Sequence, residues 1–232
     1  MKAEKRALDL VVALPMAVLL LPVIGAISLL LWLQGGPVFY VSNRMRCPDQ
    51  TFRLIKFCTM RPAHFDQGPS GADKAARITR IGYWLRRSRL DETPQIWHVL
   101  RGEMSFVGPR PIDPAFVALQ PVLLNAVLKM RPGVTGLATL KYHRHEAALL
   151  SRSARAEQNA ALYARNCLPR KARLDLIYAQ HQSLGFDLWI MIATILGLWS
   201  AALIRARQFC RVALRQLALD ATKADRAKRK PS

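Results

Sequence analysis

The sequence predicts a membrane-associated α+β protein that is mostly helical. Three observations carry this prediction. An uncharged run of 24 residues extends from Leu10 to Leu33, 51% of the 232 residues are hydrophobic although the net charge is +20, and only one pair of short strand-like runs interrupts a series of helical segments. So much apolar content excludes a disordered basic tail protein, which would have too little to bury. The charge leaves two attractions: nucleic acid, or an anionic membrane surface with phosphorylated substrates. Cys47, Cys58, Cys167 and Cys210 form no CxxC pair, so a reducing compartment is the simpler reading than a disulfide framework.

The first element is "LVVALPMAVLLLPVIGAISLLLWL". As a straight helix it would reach about 36 Å, enough to cross a hydrocarbon core of about 30 Å. Lys2, Lys5 and Arg6 precede it, while Arg44, Arg46, Arg53 and Lys56 follow it, so positive charge favours neither orientation. Pro22 lies near its centre and removes a helical hydrogen bond. The residues alone leave two readings, a kinked spanning helix or one that enters and returns through the same face.

"QGGP" ends that segment. "VFYV" and "FRLIKF" read as a strand pair separated by polar "SNRMRCPDQT", and residues 61–74 have loop composition. Helical patterns follow in "AARITRIGYWLRRS" and from Glu92 to Leu100, the latter stopped by Gly102. "SFVGPRP" is a short run ending in a rigid turn, and further helices are expected at 114–130, 146–166 and 170–182. Leu188–Ile204 is an uncharged run of 17 residues, short for a span, and reads as a helix lying in the membrane interface. From Arg205 to Ser232 nine Lys/Arg and two Asp form a tail suited to anionic lipid.

Chemistry concentrates at "RRSRLDETPQI". Asp91 suits a helix N-cap, Glu92 the positive end of the helix, and Pro94 the first turn. Arg86, Arg87 and Arg89 precede the pair, and a helix start bordered by arginines is also a phosphate site. An aspartate held there suits a nucleophile or a magnesium ligand. Arg110 sits between two prolines in "VGPRP", Arg131 opens "RPGVTG", and Lys56 ends an apolar run; only a fold would bring them together. No GxGxxG, P-loop or GxSxG is present. Scattered arginines without a recognition motif argue against nucleic-acid binding.

Taken in order, "KRALDLVVAL", Pro22, "GGPVFY", "RLIKFCTM", "RITRIGYWLRRSRLDETPQIWHVLRGEMSFVGPRP", "RPGVTGLA" and "LDLIYAQHQSLGFDLWIMIAT" resemble the bacterial sugar transferases, the small monotopic polyprenyl-phosphate phosphoglycosyl transferases. The likeness covers about residues 5 to 195. It implies transfer of a sugar-1-phosphate from a UDP-sugar to undecaprenyl phosphate, with release of UMP, as the first membrane step of a glycan pathway. Asp91 would be nucleophile and Mg²⁺ ligand, and Glu92 its partner in metal or proton handling. Lys56, Arg86, Arg110 and Arg131 would hold phosphates, and Asp175 would orient an arginine. Residues 1–34 would be a re-entrant helix bent at Pro22, 35–185 a catalytic domain, and 186–232 an interfacial helix with a basic tail. The implied location is the cytoplasmic face of a bacterial inner membrane, against anionic lipid and without nucleic acid; a homo-oligomer is left open. The alternative is a non-catalytic, membrane-anchored basic interaction protein.

The chain also departs from the family pattern. Leu21 precedes Pro22 where many members have serine, Ser42 and Arg46 replace a Gln and a Gly, Cys58 replaces an arginine, and "TLKYHR" replaces "QV-GR". These changes bear on sugar choice more than on chemistry, and specificity is expected in loops such as 61–74 and 137–150, the parts least like the family.

Overall fold

A computed structural model describes residues 3–61, 77–150 and 156–196. The apolar run forms one helix, α1 (Ala3–Leu33), with Pro15 and Pro22 inside it. At 31 residues it is about 46 Å long. Most of its surface is bare: Val11, Val18, Leu19, Leu21, Trp32 and Leu33 are each about two-thirds exposed or more. It touches the rest of the protein near both ends. Lys5, Asp9 and Ala13 are buried in the first half, and Ile27 and Leu31 in the second.

Those contacts are specific. Lys5 donates to Asp187 and to the Tyr178 hydroxyl in a buried network. Arg6 reaches the Val99 and Leu100 carbonyls at 2.6 and 2.8 Å. Asp9 accepts from the Ser105 hydroxyl and the Phe106 N–H. At the far end, Ile27 and Leu31 pack with Phe57 and Leu85.

The strand pair is present but longer than expected. β1 (Phe39–Cys47) and β2 (Gln50–Phe57) pair antiparallel, leaving only Pro48 and Asp49 as the turn. The polar stretch "SNRMRC" thus belongs to a strand whose Met45 faces the core. Phe52 and Leu54 do the same from β2, alternating with exposed Thr51 and Arg53. A second, parallel pair was not anticipated.

Thr79 caps α2 (Arg80–Arg87), accepting from the Gly82 N–H, so this helix starts later than the pattern suggested; residues 75 and 76 lie outside the described residues. A 3₁₀ helix (Leu90–Gln95) and α3 (Ile96–Arg101) follow, and α3 ends at Gly102 as expected. The unanticipated strands are β3 (Ser105–Val107) and β4 (Gly133–Thr135). They bring "GPRP" and "RPGVTG" together so closely that a Cβ on Gly133 would meet the Gly108 nitrogen at 2.2 Å.

The helix expected at 114–130 is broken at Gln120, where Pro121 opens a new helix: α4 (Pro114–Leu119), α5 (Pro121–Leu128). Residues 137–150, expected as a loop, form α6 (Leu137–Leu150), because Leu137, Ala138, Leu140 and Leu150 bury one side against the core. The helix expected over 146–166 therefore divides into the end of α6 and α7 (Ala156–Leu162). A π-helical turn (Tyr163–Cys167) runs into α8 (Leu168–Gln180). Pro169 lacks the N–H that would bond the Arg165 carbonyl, and the wide turn sits where that rung is missing.

The last described element is α9 (Leu184–Leu196), with Asp187, Ile190 and Ala193 buried and Leu188, Ile192 and Ile195 exposed. The remainder of the second apolar run, the basic tail, Cys210 and residues 62–74 lie outside the described residues. Cys47, Cys58 and Cys167 are free thiols.

The main core gathers Ala13, Phe52, Leu54, Val99, Met104, Val107, Leu137, Ile177, Tyr178 and Ile190. His98, only 3% exposed, ties β2 to α3 and holds the strand that carries Lys56. Its Nε2 accepts from the Ile55 N–H and its Nδ1 lies 2.6 Å from Glu103. Gly82 seats α2 on the end of this sheet, where a Cβ would fall 2.1 Å from the Thr59 carbonyl oxygen. Gly82→Ala is expected to cost about 1–3 kcal/mol, since backbone must give way. Thermal unfolding of the detergent-solubilised protein checks this; an unchanged melting temperature would contradict it.

Candidate active site

The stretch "RRSRLDET" folds around one unusual residue. α2 ends at Ser88, and Arg89 then takes left-handed backbone angles, φ 60° and ψ 14°; it is the one non-glycine residue with positive φ among the described residues. Such a conformation costs an L-residue roughly 1–2 kcal/mol. It reverses the chain between α2 and the 3₁₀ helix, so that Arg86 and Asp91 line the same cavity. Asp91 is consequently inside the 3₁₀ helix and not an N-cap, correcting the local reading of this aspartate.

The cavity has a volume of about 560 Å³. Lys56, Arg86, Asp91, Glu92, Arg110 and Asp175 all line it, although they come from elements far apart in sequence. Arg61, Arg77 and Arg89 also line it, and the Arg89 charge acts on Asp91. Arg131 does not join them. It sits beside Arg6 and Gly102, and burial together with the charges of Arg46 and Arg6 pulls its pKa down.

Glu92 and Asp91 are adjacent but differ in environment. Glu92 Oε1 accepts from Arg110 at 2.6 Å and from Lys56 at 2.7 Å, with only 10% of the side chain exposed. Burial pushes the Glu92 carboxyl up, but Arg110 and Lys56 together outweigh it and hold it far below the usual carboxylate range. Glu92 in turn raises the pKa of Arg110. Burial and the neighbouring Arg110 draw Lys56 down, against the pull of Glu92. Glu92 thus stays ionised and committed to two cations, which supports an organising role more than proton handling.

Asp91 makes no hydrogen bond or ion pair with any described residue. Burial and the Glu92 charge raise its pKa, while Lys56, Arg86 and Arg89 work the other way. A carboxylate with free lone pairs, less stabilised than in water, suits attack on an electrophile or capture of a cation. Arg86 is aimed by its Nε–H bond to Thr59 Oγ1 at 2.8 Å and by Met60 Sδ at 3.0 Å.

The opposite wall carries residues the sequence did not single out. Lys171 of α8 donates to Glu146 of α6 at 2.9 Å and to the Tyr163 hydroxyl at 3.3 Å. Lys171 lies one turn before Asp175 on the same helix face, a spacing that marks it as a companion of that aspartate. Asp175 forms no ion pair with an arginine among the described residues. One of its oxygens is buried without a partner, and the Ala138 N–H faces the carboxylate.

Burial pushes Asp175 up to about 7, against the pull of Lys171 and the Ala138 N–H. Folded protein therefore keeps this proton to near neutrality, whereas the unfolded chain releases it near 3.8. Stability from this group is full below about pH 4 and is lost as pH rises through about 7. Asp175→Asn is expected to flatten that part of the profile and to raise the melting temperature at pH 8 relative to wild type. Equal pH slopes for the two proteins between 5 and 8 would contradict the assignment.

The arrangement of a bare carboxylate beside a charge-clamped one, ringed by arginines, suits a phosphorylated substrate. Comparisons with known proteins agree with it. The chain is 33% identical over 201 residues to an undecaprenyl-phosphate glucose phosphotransferase of Komagataeibacter xylinus, covering 83% of this chain and 35% of that protein. It is 31% identical over 196 residues to a UDP-glucose:undecaprenyl-phosphate glucose-1-phosphate transferase of Escherichia coli K12, covering 82% and 39%. It is 30% identical over 209 residues to the exopolysaccharide production protein ExoY of Sinorhizobium fredii, covering 83% and 84%. This chain therefore spans little more than a third of the first two relatives and most of the third. The family profile described as bacterial sugar transferase matches residues 1–201, which include α1, the hairpin and every residue placed at the cavity, and on that match the chain belongs to the bacterial sugar transferase family.

Proposed function

We propose that this protein is a phosphoglycosyl transferase that moves a sugar-1-phosphate from a UDP-sugar to undecaprenyl phosphate, releasing UMP. The observation that carries the reading is the Asp91 carboxylate, unbonded among the described residues, next to Glu92, which Lys56 and Arg110 clamp. The name of the E. coli relative, with UDP-glucose and undecaprenyl phosphate, supports these substrates, and that of the K. xylinus relative supports undecaprenyl phosphate.

In the first step an Asp91 oxygen attacks the β-phosphorus. The bond from that phosphorus to the bridging oxygen breaks, and UMP leaves with the electron pair. In the second step a phosphate oxygen of the lipid attacks the phosphorus now joined to Asp91, and the aspartate carboxylate is restored. Dividing the transfer in this way is what a covalent nucleophile contributes. Arg86 and the neighbouring arginines would hold the diphosphate and offset charge as UMP departs. Lys56 and Arg110, held by Glu92, keep positive charge beside the attacked phosphorus.

Magnesium fits this site in a limited way. No group of three or more His, Cys, Asp or Glu occurs among the described residues, so an all-protein cage is not offered. Magnesium is usually held by one or two carboxylates plus substrate phosphates, and Asp91 has the free oxygens for that. Bound there, the ion would neutralise charge on the diphosphate.

The membrane reading follows from α1. It is long and apolar enough to cross a bilayer, yet both of its ends pack on one folded body. A helix that crossed would place those ends on opposite faces. Contacts at both ends support re-entry through one face; in the proposed arrangement the catalytic domain lies on the cytoplasmic side of the inner membrane, with α9 in the interface.

Release of UMP by the solubilised protein tests the proposal, supplied with undecaprenyl phosphate, magnesium and a panel of UDP-sugars. Release with at least one donor supports it. No release with any, from folded protein in the presence of lipid, favours a non-catalytic anchor protein.

A further inference from the structure

We propose that the cavity wall formed by Glu146, Tyr163, Lys171 and Asp175 is a subsite that reads the hydroxyl groups of a donor's ring, glycosyl or ribosyl. The inference rests on the transfer reading above and assigns that reaction its selectivity residues.

Position is the first argument. All four line the same cavity as Asp91. Arg110 lies between the two ends: it is bonded to Glu92, and the charge on Glu146 and the Tyr163 hydroxyl act on it directly. A ring attached to a phosphate held near Asp91 and Arg110 would reach this wall next.

Chemistry is the second argument. The Asp91 end is rich in arginine, whereas this end carries two acids and one lysine, which disfavours a phosphate. The groups left over here alternate between donors and acceptors. Among the described residues Glu146 uses only Oε2, and the Tyr163 hydroxyl accepts from Lys171, which leaves its own proton to give. Lys171 keeps a third N–H, and Asp175 Oδ1 is buried with no partner among the described residues. Hydroxyl groups each donate once and accept, so a vicinal diol complements such a set. Burial holds Asp175 near the point where it can either accept or donate at neutral pH. Phe116, whose ring centre lies 4.9 Å from that of Tyr163, also lines the cavity and adds apolar surface beside these polar groups.

Tyr163→Phe and Glu146→Gln in the full chain test this, with undecaprenyl phosphate present. Two readouts are needed: the ratio of kcat/KM between epimeric donors (UDP-glucose against UDP-galactose, and their N-acetyl forms), and the inhibition constants of UMP and 2′-deoxy-UMP. If the wall reads the glycosyl ring, the epimer ratio shifts by about tenfold and UMP inhibition is unchanged. If it reads the ribose, the epimer ratio holds, UMP inhibition weakens by about tenfold, and discrimination against 2′-deoxy-UMP is lost. Should both readouts stay within twofold of wild type, the cluster is only a brace between α6 and α8, and the proposal is overturned. Tyr163→Phe keeps the ring packing, so it carries the test if Glu146→Gln fails to fold. Failure of the transfer reading itself would look different, because wild type would then release no UMP with any donor.

Discussion

Asp91→Asn is expected to lower UMP release by at least about 10⁴-fold while leaving the protein as stable as wild type or slightly more so. The amide is nearly isosteric with the carboxylate but is not a nucleophile. Asp91 accepts no hydrogen bond from the described residues, so the folded state loses no partner. Burial and the adjacent Glu92 already disfavour its charge, so neutralising it relieves a cost. UMP release and thermal unfolding on the same preparation separate chemistry from folding. A variant that kept a tenth of wild-type turnover would remove Asp91 from the nucleophile's role.

Glu92→Gln is expected to act in the opposite way, through the fold as well as the chemistry. Removing one partner from a buried ion cluster costs about 3–5 kcal/mol when the remaining charges are fully desolvated. Here the Arg110 side chain keeps 35% of its surface exposed and Lys56 21%, so the lower end of that range applies. Lys56, already pushed down by burial and Arg110, would lose the group that holds its proton. Folded protein would then bind fewer protons than unfolded chain, and stability would recover as pH rises. The deficit should therefore be smaller at pH 9 than at pH 7. The double variant Glu92→Gln, Lys56→Met should regain part of the loss, which unfolding measurements on the two proteins would show.

Much of this site was legible because its chemistry sits in short contiguous motifs. Asp91, Glu92 and Arg86 fall within seven residues of one another, and Lys56 and Arg110 stand at the ends of recognisable runs. Their convergence depended on pairings that no local pattern announces. β3 and β4 pair in parallel across 25 intervening residues, and three residues long each, they carry no alternation to read. That pairing brings "GPRP" to "RPGVTG", yet it leaves Arg131 outside the cavity, beside Arg6.

The N-cap reading of Asp91 failed because left-handed backbone at an arginine has no sequence signature. Glu146, Tyr163 and Lys171 were missed for a related reason. Residues 137–150 differ from the family pattern, and with five charged or histidine positions interrupting the apolar ones, they read as a loop. Only burial of Leu137, Ala138 and Leu140 against α8 and α9 makes the segment a helix that points Glu146 toward Lys171. Tyr163 depends on a π turn, visible in the sequence only as Pro169 inside a helical stretch.

The account turns on a covalent step at Asp91, and peptide mass spectrometry addresses it most directly. The protein would be incubated with an accepted UDP-sugar and magnesium, with undecaprenyl phosphate left out, and then digested. The expected result is a mass gain of one sugar phosphate on the peptide that contains Asp91, with one equivalent of UMP released and the adduct lost on adding the lipid. UMP that appears only when lipid is present, with no adduct on that peptide at any time, would mean direct transfer between bound substrates and would contradict the account.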